Sequence, residues 1–103
     1  MKTLKNLDVH PEHFEQPSGD AIQVPTYRVL LKQAVGYGAA RDGANAIDLL
    51  QIGLKLKVDG DVTLEEAEFR LLKDRCSENP AKWIAHFQGQ VMLRLQEAER
   101  SAT

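Results

Sequence analysis

From Pro25 onward, large apolar residues recur every three or four positions, in runs of about 10 to 20 residues separated by turns that carry Gly, Asn or Pro. That rhythm constrains the chain to short amphipathic helices joined by tight links. Tyr27, Leu30, Leu31, Ala34 and Val35 fall at i, i+3, i+4, i+7 and i+8, which predicts a first helix opened by Pro25 or Thr26 and closed by Gly36. The glycine-rich stretch from Gly36 to Gly43 predicts a loop, with Asp42 capping the next helix. In that second helix, Ala46 to Leu56, one side holds Ile47, Leu50 and Leu54 while Leu49, Ile52 and Leu56 spread around it. A helix apolar on more than one face is expected at the centre of the core.

Val58 to Val62 is a tight turn in which Gly60 is free to take a positive φ, and Thr63-Leu-Glu-Glu66 has the form of a capping box. The third helix is expected to run to about Ser77, turning Leu64, Ala67, Leu71, Leu72 and Cys76 inward. Asn79-Pro80 predicts the start of a fourth, with Asn as cap and Pro in the first turn. Its stripe is Trp83, Ile84, Phe87, Val91 and Leu95, with Gly89 marking a kink or a close helix approach and Glu97 to Thr103 fraying. Residues 26–100 show no period-two alternation. The expected fold is therefore all-α, a compact bundle of about four helices, with Leu30, Leu50, Leu54, Leu71, Trp83 and Phe87 in its core.

Residues 1–25 hold three of the four prolines and no sustained helical period, which predicts an extended, partly disordered polar arm ahead of a helical domain at 26–100. Thr3 to Val9 and Ala21 to Val24, separated by the turn at Pro17 to Asp20, could pair as a short hairpin.

The chain of 103 residues has room for one core, and its formal net charge of -2 provides no global attraction to nucleic acid or an anionic membrane. One cysteine, Cys76, gives neither an internal disulfide nor the paired thiolates of a structural zinc site. No apolar run approaches the ~20 residues that span a bilayer, and Asp8 and His10 stand where a signal peptide needs its apolar stretch. The expected location is the cytoplasm.

The chemistry-bearing patterns are weak. Asp59-Gly-Asp-Val-Thr-Leu-Glu-Glu66 resembles half of a calcium loop, but the register ending at Glu66 puts Lys55 and Lys57 where oxygen ligands are required. His10 and His13, with Glu12 and Glu15 nearby, are split by Pro11 and do not form a convincing ligand set. His86 sits among apolar positions as a boundary histidine, and Cys76, near a helix C-terminus and without a sequence-evident His partner, is expected to be structural. The loop at 36–43 lacks the preceding strand and the Gly-Lys-Ser/Thr ending of a phosphate cradle. No catalytic, metal or cofactor residue is assigned, and an enzyme is not expected.

Ala46 to Glu99, with its central apolar helix, the stretch Asp59-Gly-Asp-Val-Thr-Leu-Glu-Glu-Ala-Glu-Phe69 and the closing Gly89-Gln-Val-Met-Leu-Arg-Leu95 helix, resembles small helical proteins encoded by tailed phages and prophages. The resemblance implies an intracellular accessory protein and carries over no site residue. The polar arm at 8–20 departs from that pattern.

These readings favour a small non-enzymatic interaction protein that binds a protein partner or itself. The expected partner face is the fourth helix, where Trp83, Met92 and Leu93 widen the apolar stripe, unless the first two helices enclose it completely. The alternative is a nucleic-acid-binding accessory protein using Lys55, Lys57, Arg70 and Lys73, a basic set interleaved with carboxylates.

Overall fold

Helix α1 (Tyr27–Gly36) starts where the Thr26 hydroxyl accepts the Val29 N–H at 3.3 Å, and α2 (Gly43–Leu56) starts where Asp42 accepts the Asn45 N–H at 2.8 Å. Each cap satisfies one of the backbone donors that a helix leaves open at its N-terminus. The computed structural model describes residues 1–12 and 25–101. The other elements are strand β1 (Lys2–Leu4), strand β2 (Val62–Leu64), helix α3 (Glu66–Glu78) and helix α4 (Ala85–Ser101).

The architecture is mostly helical and not purely so, because β1 and β2 form an antiparallel pair. Leu4 lies opposite Val62 and Lys2 opposite Leu64, while Thr3 and Thr63 share a side-chain hydrogen bond at 3.2 Å. Leu4, Val62 and Leu64 all point inward. Three residues are too few to show a period-two pattern, and the partner strand is some 60 positions away, so this sheet corrects the all-α expectation. Thr63 belongs to β2, and the capping box has moved two residues on, with the Glu65 N–H donating to Glu68 Oε1 at 2.9 Å. Ala21 to Val24 and the turn proposed to join them to the first strand lie outside the described residues.

Residues 1–12, expected to begin a polar arm, pack into the same core as the helices. Leu4 and Leu7 are 1% exposed and Pro11 is buried. The carbonyls of Leu7 and Val9 accept the N–H groups of Arg28 and Tyr27 at the start of α1, which gives those open donors a partner. Gln90 of α4 clasps the Glu12 backbone at 2.8 and 2.7 Å, and Arg94 lies 4.0 Å over the Tyr27 ring while its Nη1 donates to Asn6 O at 3.1 Å.

Two buried arginines close the helices at their other ends. Arg28 donates from Nη1 to Leu56 O at 2.7 Å and Val58 O at 2.5 Å, and from Nη2 to Gly60 O at 2.6 Å. Its Nε meets Asp8 Oδ1 at 2.9 Å. Arg75 donates from Nε to Ala34 O at 3.0 Å, from Nη1 to Ala39 O at 3.1 Å, and from Nη2 to Tyr37 O. One guanidinium thus terminates α2 and the other terminates α1, satisfying carbonyls that have no acceptor role left inside a helix.

Asn79 ends α3 in the left-handed region at φ 57°, and its side chain holds the Trp83 backbone at 2.9 and 2.8 Å, so α4 begins only at Ala85. Asn tolerates that conformation better than most residues, which suits it to ending a helix as well as to starting one. Gly60 takes its positive φ of 90°, whereas a Cβ on Gly89 would meet nothing within 4 Å, so no close helix approach occurs there. The C-terminal segment stays helical to Ser101, with Glu99 bonded to Lys73 at 2.8 Å. Above all, Leu50 and Leu54 are 62% and 52% exposed, because α2 turns Leu49, Ile52 and Leu56 to the core. Leu30 is buried as expected, and Leu71 and Trp83 pack on the core from its edge.

Ile52→Ala should cost about 2–5 kcal/mol through the cavity it leaves, while Leu50→Ala should cost less than about 1 kcal/mol. Urea unfolding of the two variants checks this, and similar midpoints would contradict the assignment of the α2 faces. A second expectation concerns Asp8, whose carboxyl is held below the usual carboxylate range chiefly by its hydrogen bond from Arg28. A carboxyl depressed in the folded state stabilises the fold above its unfolded pKa and loses that contribution as the pH falls through the carboxylate range. Asp8→Asn should therefore lower the melting temperature at neutral pH, and the difference from wild type should shrink by about pH 3.

Candidate interaction surface

A helix that buries Leu49, Ile52 and Leu56 leaves its opposite face to solvent, and in α2 that face is also apolar. Ile47, Leu50 and Leu54 fall at i, i+3 and i+7 and are 57%, 62% and 52% exposed; Val58, just past the helix end, extends the line at 62%. Isolated exposed aliphatics are ordinary, but a continuous row along one helix is the surface usually buried by a partner. Beside the row, α1 and α2 enclose a groove of about 420 Å³ lined by Val35, Ala46, Leu49, Leu50, Gly53 and Leu54, with Lys32 and Lys57 also contributing.

The flanks of this surface are charged. Lys55 donates to Glu68 Oε1 at 2.6 Å across to α3. Burial opposes ionisation of Glu68, yet the hydrogen bonds from Lys55 and from the Glu65 N–H outweigh it and hold the carboxyl below its ordinary range. Asp48, one position after Ile47, is exposed and has no ion-pair partner among the described residues.

The residues predicted for the partner face do not converge on one surface. Trp83 is half-buried ahead of α4, packed on the core with its Nε1 donating to Gln33 Oε1 at 3.0 Å. Met92 is also half-buried against the core, whereas Leu93 is 53% exposed on the outside of α4. Of the basic set, Lys55 and Lys73 are neutralised by Glu68 and Glu99. Lys57, at the C-cap of α2, is itself exposed, and Arg70 lines a shallow polar hollow with Lys2, Glu66, Lys73 and Glu99.

Comparison with family models, curated proteins and solved structures finds no match to this chain.

Among the described residues, no three His, Cys, Asp or Glu side chains gather as a metal ion would require, and no helix is long and apolar enough to cross a membrane. His13 lies outside the described residues. Cys76 is fully buried, and burial pushes its thiol up to about 12, far from the thiolate a nucleophile needs.

The signal for the α2 face was present in the sequence as apolar residues all around one helix. Nothing in a helical period distinguishes burial within the fold from exposure on its surface, so the period alone places Leu50 and Leu54 in the core. Ellman's reagent should label Cys76 only as the chain unfolds, so the labelling rate should follow the unfolding rate across a urea series. Rapid labelling of the folded protein would contradict the buried position.

Proposed function

We propose that this chain is a small non-enzymatic interaction protein that docks a protein partner, or another copy of itself, on the outer face of α2. The observation that carries this reading is the row Ile47, Leu50, Leu54 and Val58, four aliphatic side chains each more than half exposed along one line. Leaving them in water costs about 25 cal/mol for every Å² of apolar area that a partner could cover. The adjoining groove extends the apolar surface next to the row. The resemblance of Ala46 to Glu99 to small phage and prophage proteins supports an accessory role in that setting, with a protein partner and no cofactor.

A photo-crosslinking amino acid placed at Leu54 should give covalent adducts in cells, identified by mass spectrometry as a defined protein or as a second copy. The same group at exposed Gln96, on α4, is the control. Adducts at Leu54 no stronger than at Gln96 would overturn the docking face.

A further inference from the structure

The pattern on α2 fits a second copy of itself, an inference that rests on the reading of this face as a docking surface. We propose that two copies of this chain pair through antiparallel packing of their α2 helices about a two-fold axis near Gln51 and Ile52.

In an antiparallel pair, residues equally far from the axis on opposite sides come together. Leu50 of one copy then lies beside Leu54 of the other, and Ile47 beside Val58. These are the four most exposed large apolar side chains between α1 and β2 except for Tyr37, which lies on the loop before α2. The midpoints of both pairs fall at Ile52 or between it and Gly53, so one register covers the whole row.

The charges select the same register independently. Asp48 and Lys55 are seven residues apart, two turns along, and so occupy the same flank of α2. A two-fold axis perpendicular to the helices brings like flanks together, which sets Asp48 of one copy beside Lys55 of the other with its midpoint between Gln51 and Ile52. Asp48 has no ion-pair partner among the described residues, and the Lys55 side chain, bonded to Glu68 at 2.6 Å, is still 42% exposed and can donate to a second carboxylate. The symmetry supplies this contact twice. A parallel pair would align the two helix dipoles head to head, whereas the antiparallel pair opposes them.

The size is adequate for a reversible dimer. Four side chains each more than half exposed offer roughly 400 Å² of apolar surface per copy, and with a polar rim the pair reaches the ~1,000 Å² of a small specific interface. That places the association in a concentration-dependent regime.

Sedimentation of the full chain from about 1 to about 500 µM should show a monomer passing into a dimer. Asp48→Lys should weaken the dimer by about tenfold or more, since it replaces two attractive contacts by two repulsive ones. Leu50→Glu should abolish it while leaving the circular dichroism and melting temperature close to wild type. Gln51→Cys, next to the axis, should oxidise to a covalent dimer, and Ile47→Cys, far from its own symmetry mate, should not. The native Cys76 is fully buried and does not compete. A monomer at every concentration, or covalent dimers from Ile47→Cys, would overturn the antiparallel pair. In either case the Leu54 photo-crosslink decides separately whether the α2 face still docks another protein.

Discussion

The guanidinium of Arg28 is the contact on which the arrangement of the chain depends. A helix ends with carbonyls that have lost their intrahelical donors, and when such an end is buried those oxygens must be satisfied by something other than water. Arg28 satisfies Leu56, Val58 and Gly60 together, a reach that the single ammonium of lysine does not match in geometry. Because Arg28 sits in the first turn of α1, it fixes the end of α2 against the start of α1. Asp8 on its far side ties the N-terminal segment to the same point. Arg75 repeats the device one step further, from α3 onto the end of α1 and its following loop. Among the described residues no buried side-chain polar atom is left without a hydrogen-bond partner, so these buried charges are fully used.

With α2 terminated in this way, the turn at Val58 to Asp61 delivers Val62 to Leu64 to the edge of β1. The strand pair then covers one side of the core with Leu4, Val62 and Leu64, and Leu7 fills in next to it. α4 closes the core through Val91 and Leu95, with Met92 at the margin. The core is therefore complete without the outer face of α2, and Ile47, Leu50, Leu54 and Val58 remain in water. A face left over by a finished core is where association with a second body costs the fold least.

Much of the local structure was legible in advance. Thr26 and Asp42 mark helix starts because a short side-chain oxygen can reach a backbone N–H two or three residues on, and Gly60 marks a turn because it lacks a Cβ. Asn79 was harder to place, since the same residue type serves either end of a helix, and here its αL backbone ended α3 in place of starting α4. The β1–β2 pair could not be seen from residues 2–4 or 62–64 alone, as each strand takes its meaning from the other. The open apolar row was legible only as breadth of apolar residues around α2: Trp83 and Met92 border the core, whereas Ile47, Leu50 and Leu54 lie in water.

By itself the sequence determined which stretches become helices and, at Thr26 and Asp42, where two of the four begin, because periodicity and capping act within a few residues of each other. It also determined that the second helix is apolar on more than one face. Only the tertiary structure decided which of those faces is covered. That choice depends on contacts between distant segments, with Arg28 gripping the end of α2 and Leu4 and Leu7 occupying the space beside it, and no local rule assigns a residue to one neighbour over another.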